Sequence, residues 1–173
     1  MKVQFDPTHQ FDSQLINAGS RLYGFHVLVP LHVASTYGNQ QQQRVWCQLD
    51  ALQPYQCALK PIGEMRTAIM VNKARRTLLG LQEGATIHVS LMPDNSQYGL
   101  PIPAVTEELL KQDKELHQLF HKLTPGKQRS LLYIINQGKS EDIQLRRSLA
   151  IGNHLRKLKG KIDFKKLQED LKQ

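Results

Sequence analysis

The stretch Met65–Leu91, MRTAIMVNKARRTLLGLQEGATIHVSL, limits the possible folds of this chain more than any other. It reads as strand, short basic helix, glycine-marked turn and strand. Thr67, Ile69 and Val71 alternate along one face and Ala68 and Met70 along the other, the two-residue period of a half-buried strand. Asn72 is placed to cap a helix over Lys73–Leu79, because its side-chain oxygen can accept from the first free backbone N–H groups. Gly80 suits the left-handed residue that ends such a helix. Glu83-Gly84 marks a turn, and Thr86–Leu91 alternates again, with Ile87, Val89 and Leu91 on one face. A strand that returns after so short a helix suits a small barrel better than a doubly wound sheet.

The flanking sequence extends the barrel. Gln10–Ile16 alternates Phe11, Ser13 and Leu15 as a first strand, and Arg21–Val29 is a second, more apolar one after the Asn17–Ser20 turn. Pro30 blocks further pairing, Leu31–Tyr37 suits a short helix, and Gln40–Gln43 reads as an exposed loop tip. Arg44–Leu49 and Tyr55–Lys60 form a hairpin, and counting outward from Leu52 sets Cys47 opposite Cys57. Tyr98–Ile102 is expected as a last strand, with Pro101 and Pro103 closing the β region.

From Thr106 onward the apolar period is helical. Thr106 and Asp113 are expected as caps, and Thr124-Pro125 as a cap followed by proline at the first helical position. Leu131, Ile134 and Ile135 form the inner face of that helix. Ser140 opens the next, which carries Ile151, Leu155 and Leu158 and stops at Gly160; Phe164, Leu167 and Leu171 lie on a last amphipathic segment. The reading is α+β, with a β-rich domain at 1–103 and a helical domain at 104–173.

At 173 residues, 40% hydrophobic and 22% charged, the chain can bury a real core. No apolar run reaches the roughly 18 residues that span a bilayer, and MKVQFDPTHQ lacks the apolar centre of a signal peptide. The expectation is therefore a cytoplasmic protein with reduced cysteines. The net charge of +8 is uneven: residues 1–105 hold 8 Lys and Arg against 6 Asp and Glu, whereas residues 106–173 hold 15 against 9. Such a surface attracts phosphates weakly and without sequence preference, although a basic helix face usually serves solvation alone.

Reaction chemistry finds little purchase. There is no G-x-S-x-G, Walker loop or G-x-G-x-x-G, and no carboxylate pair stands out in the β region. His117 and His121 share a helix face, but Gln-Leu-Phe between them is no H-E-x-x-H and no third ligand is placed by spacing. His26 and His88 fall in different strands, and an enzyme or small-molecule binder would have to bring them into one pocket. Neither a catalytic residue, a metal site nor a cofactor is expected. The remaining candidates are cations. Lys73 and Arg76 sit i, i+3 and could grip one phosphate or carboxylate; Arg146 and Arg147 lie on a later helix.

These residues carry a resemblance. Val29-Pro30, Val71-Asn72-Lys73 through Leu81-Gln82-Glu83-Gly84, Pro101-Ile102-Pro103 and Leu123-Thr124-Pro125 resemble the bacteriocin-protection, or YdeI/OmpD-associated, proteins. The resemblance implies an N-terminal β-barrel domain of unknown function before a small helical domain. It also implies a barrel of the double-split kind, similar in layout to AbrB-like regulators, which by itself transfers no function. The family's Glu-Thr-Arg-x-Arg-Arg-hydrophobic segment falls on Asp142–Ser148. Arg146 and Arg147 keep the basic pair, while Ile143 and Gln144 replace the Thr-Arg before it. The functional expectation is a non-enzymatic binding or stress-protection protein with a protein partner or small ligand. The alternatives are nucleic-acid binding through the basic helices, or an enzyme built on the barrel histidines.

Overall fold

The alternating strands close on themselves. In the computed structural model, which describes residues 4–19, 24–37 and 43–172, the first half holds β1 (His9–Asn17), β2 (Phe25–Val29), α1 (Leu31–Thr36), β3 (Gln43–Leu49), β4 (Tyr55–Pro61), β5 (Thr67–Met70), α2 (Lys73–Leu78) and β6 (Thr86–Pro93). The six strands form a closed barrel in the order β1-β2-β5-β4-β3-β6, and every pairing is antiparallel. Leu15 faces Val27, Val27 faces Ile69, and Val89 faces Leu49, so the inward residues of neighbouring strands meet in rows. All of them are fully buried. Burying each such side chain contributes about 1.5–3 kcal/mol, and a barrel of this size is filled by side chains.

Local chemistry sets the joints. The Asn72 carboxamide accepts from the Arg75 N–H at 2.9 Å and starts α2. Gly80, at φ +63°, ends it in the left-handed region that glycine enters without steric cost. Gly84, at φ +83°, turns the chain into β6.

The second half packs helices around its own core. It contains α3 (Ala104–Gln112), α4 (Lys114–His121), α5 (Pro125–Asn136), α6 (Glu141–Lys157) and α7 (Phe164–Asp170). Leu110, Leu116, Phe120, Leu131, Leu132, Ile135, Ile151, Leu155 and Leu167 make that core. The Asp113 and Ser140 side chains accept from the N–H groups of Leu116 and Ile143 and cap α4 and α6. Inside it, the Thr106 and Ser148 hydroxyls lie 2.8 Å apart and satisfy each other. The chain divides into two compact units, one ending at Asn95 and the other beginning at Ser96. Among the described residues no helix is long and apolar enough to cross a membrane.

Four sequence expectations change. Tyr98–Ile102 is no strand: Pro101 and Pro103 cannot donate to a ladder, and Tyr98, Leu100 and Ile102 pack into the helical core. Thr106 lies inside α3, which starts after Pro103. Thr124 precedes α5 in the cap position without a side-chain cap bond. The hairpin register pairs Cys47 with Tyr55 and Val45 with Cys57, because the turn is not centred on Leu52. The expected start of the second strand at Arg21 and the loop tip at Gln40–Gln42 lie outside the described residues.

Candidate functional site

One candidate lies where β5 leaves the barrel wall. β5 pairs with β4 only at Lys60 and Pro61, and the chain then turns into α2. This helix follows the strand between β2 and β4, and its arginines reach both neighbours. The Arg75 guanidinium lies 3.4 Å from the ring centre of Tyr55 on β4, and that of Arg76 lies 3.7 Å from Phe25 on β2. A cation over an aromatic face is worth about 0.5–2 kcal/mol. Arg76 is thus engaged on a ring rather than held out toward an anion, while Lys73 beside it is exposed.

Tyr55 and the two cysteines share the inward face of β3 and β4. Cys47 is fully buried and Cys57 half-buried, and both are free thiols. The register makes them diagonal neighbours on that face. Interaction with the Cys57 thiol holds the Cys47 thiol below its usual range, and the same interaction, with burial, pushes Cys57 well above its own. Burial, then the neighbouring thiol charges, raise the Tyr55 phenol, whose oxygen is buried without a hydrogen-bond partner. The cluster therefore holds two thiols, a phenol and a guanidinium on a mostly apolar wall.

The histidine alternatives separate. His26 pairs with Ile16 across the β1–β2 ladder and its Nδ1 lies 2.9 Å from the Gly24 carbonyl oxygen. His88 pairs with Asp12, its Nδ1 lying 2.8 Å from that carboxylate. Four residues of β1 separate the two positions, about 13 Å along a strand, so the two rings do not meet in one pocket. His117 and His121 do stack, with ring centres 4.1 Å apart. His121 is held by the His117 carbonyl at 2.8 Å and the Tyr98 hydroxyl at 2.9 Å. Among the described residues no cluster of metal-ligating side chains forms.

The second candidate is a groove between α6 and α7. It is lined by Arg146, Leu149, Ala150, Asn153, Lys157 and Asp170, and encloses about 460 Å³; an adjoining hollow brings in Arg147, Leu171 and Lys172. Arg146 and Lys157 are exposed, and Leu149 between them keeps 45% of its surface in solvent. Arg147 donates to the Ile134 carbonyl at 2.6 Å and so also ties α6 to α5. Buried His154 forms the floor. Its Nε2 accepts from the Asp163 N–H at 3.2 Å, which places the ring proton on Nδ1, 2.7 Å from the Asp170 carboxylate. The Lys166 and Lys165 N–H groups bonded to the Asp163 carboxylate hold it below its usual range.

Sequence reasoning placed Arg146 and Arg147 on one helix, as they are, but missed Tyr55, His154 and Asp170. The Asp163-Phe-Lys-Lys start of α7 carried a readable cap signal. Nothing in sequence spacing pairs His154 with Asp170, or Arg75 with Tyr55, because each pair joins separate elements.

A closed antiparallel barrel and a five-helix unit on one chain define a two-unit architecture, and each unit has a counterpart among known families. Residues 11–91 match a domain of unknown function, DUF1905, and residues 100–157 match the family described as bacteriocin-protection, YdeI or OmpD-associated. The helical unit is thus similar to that family and the barrel to the DUF1905 domain. A solution structure, that of PHS018 from Pyrococcus horikoshii, is similar at 19% identity over 51% of this chain and 94% of its own, with a TM-score of 0.34. No curated protein matches the chain.

Proposed function

We propose that this protein is a non-enzymatic binding protein whose α6–α7 groove takes an acidic, partly apolar segment of a protein partner. The observation that carries this reading is the placement of exposed Arg146 and Lys157 at either side of Leu149, on a helix pinned from behind by His154 and Arg147. Cations flanking an apolar ledge suit a peptide that alternates carboxylates with leucine-like side chains. The groove lining holds no Phe, Tyr or Trp, and its one imidazole, His154, is buried, so no ring is open for a base to stack on, which favours a peptide over a nucleic acid. Lys73 on α2 is a weaker anion contact, since Arg76 beside it is committed to Phe25.

The β5–α2–β6 unit, with Gly80 and Gly84 at its turns, supports a double-split barrel of the AbrB-like layout. Two unpaired thiols support a reducing, cytoplasmic setting. The likeness of the helical unit to bacteriocin-protection proteins suggests a protective role, which a binding protein would exercise by sequestering or shielding its partner.

Fluorescence anisotropy with a labelled Glu/Leu peptide, at about 0.15 M salt, tests the reading. Binding should weaken by about tenfold or more in Arg146→Glu with Lys157→Glu, the size expected when two charge contacts of about 1 kcal/mol each turn repulsive. Mixed-sequence duplex and single strand run in parallel. Sub-micromolar nucleic-acid affinity at that salt, lost on Arg146→Ala with Arg147→Ala, would move the protein to the nucleic-acid class.

A further inference from the structure

Beside the groove, three cations line one hollow of about 240 Å³: Arg146 and Arg147 from α6, and Lys172 just past the end of α7. Arg146 lines the groove as well, so the two spaces share a wall. Arg147 is half-buried, and its bond to the Ile134 carbonyl at 2.6 Å fixes the guanidinium through one Nη. Among the described residues no carboxylate lies within ion-pair distance of any of the three. Asp170 also lines the hollow, but its carboxylate is engaged by the His154 Nδ1–H at 2.7 Å. The rest of the wall is apolar, from Ile143, Ala150 and Leu171. The hollow therefore carries three positive charges against one acid that already has a partner.

We propose, building on the groove reading above, that this hollow anchors a phosphorylated side chain of the bound segment. A phosphoryl group on serine or threonine carries about −1.5 to −2 charge and three strong acceptor oxygens. Three donor side chains match those oxygens, and the planar arginine forks suit a phosphate. A carboxylate brings one charge and two oxygens, which a single bidentate arginine satisfies. Arg147, already fixed from behind, loses little side-chain freedom on binding. The apolar wall accommodates the Cβ of the modified residue and, for threonine, its methyl group.

The spacing of the anchor follows from α6. The hollow is lined there from Ile143 to Ala150 and the groove from Arg146 to Lys157. Their centres lie about 7.5 Å apart along the helix, which an extended chain crosses in about two residues. A phosphoserine two places from the leucine-like residue that covers Leu149 thus reaches the hollow.

Fluorescence anisotropy of the full chain at about 0.15 M salt tests this. Three labelled Glu/Leu peptides are compared that carry Ser, Glu or phosphoserine two residues from a leucine. The phosphoserine peptide should bind about tenfold tighter than the Glu peptide, the size of one or two added charge-assisted hydrogen bonds. Lys172→Gln should reduce that ratio about threefold, the size of one exposed charge contact, and Arg147→Gln should reduce it further. Lys172 is exposed and outside the helical core, so its variant decides the case if Arg147→Gln does not fold. Equal binding of the three peptides, or a ratio unmoved by Lys172→Gln, overturns the phosphoryl site and leaves the groove reading standing. Binding by none of them overturns both. A 5′-phosphorylated oligonucleotide that binds tighter than the phosphoserine peptide overturns the assignment to a protein segment.

Discussion

The barrel and the helical unit solve the same burial problem by opposite means. The barrel joins strands distant in sequence, such as β1 with β6 and β2 with β5, and fills its interior with alternate residues of each. The helical unit stacks successive elements, with apolar stripes at helical spacing and polar caps at the joints. Their charges differ too. The barrel's +2 is spent partly on rings, with Arg75 and Arg76 laid over Tyr55 and Phe25, while the helical unit's +6 includes exposed Arg146 and Lys157. A basic residue is therefore no guide to anion binding until its helix is placed. The same residue type clamps an aromatic ring in one unit and edges a groove in the other.

The largest expected effect comes from core truncation. Leu91→Ala in the barrel and Leu155→Ala in α6 should each cost about 2–5 kcal/mol, because both side chains are fully buried. Thermal unfolding followed by Trp46 fluorescence reports the barrel, and far-UV circular dichroism is dominated by the helices. If the units are as separate energetically as they are in architecture, each variant lowers one transition and leaves the other. A shift of both together in either variant would break the comparison.

Alkaline pH should separate them next. Burial chiefly raises the Tyr55 and Tyr37 phenols, and interaction with Cys47 chiefly raises Cys57. A raised acid stays neutral in the folded state, so its contribution is fully present below the unfolded values of 9.0 and 10.0. It is lost as pH rises through the folded value. Cys47, lowered, works the other way, one group against three. The Trp46 transition should therefore fall more steeply above pH 9 than the helical one, where Tyr98 is the one phenol raised by burial among the described residues. A helical transition that falls first would reverse the assignment.

Smaller still are the caps, at about 1 kcal/mol for Asn72. Asn72→Ala should weaken the barrel at every pH, since its carboxamide does not titrate. Asp113→Ala should weaken the helical unit only above the acid range. The Leu116 N–H, then Arg156, hold Asp113 below 3.8, so its stabilisation is present above that value and lost as pH falls through the lowered one. Acid titration of both variants against wild type checks this. An Asp113→Ala deficit that persists at low pH would show that the side chain acts through packing instead.

What the sequence alone determined about this protein is local. The Asn72, Asp113 and Ser140 caps, the glycine after α2 and the inward Ile87, Val89 and Leu91 were legible because each depends on residues within a turn or a two-residue period. The family resemblance rested on such local marks as well. The tertiary structure decided everything that needed two distant elements to meet. It set Cys47 diagonal to Cys57 rather than opposite, since register depends on the whole ladder and not on the turn's apparent centre. It drew Tyr98–Ile102 out of the sheet and into the helical core, because apolar alternation between prolines states that a segment wants burial but not against what. It also laid Arg76 on Phe25 and closed His154 on Asp170. A long polar side chain can reach many partners, and only the packed fold selects one.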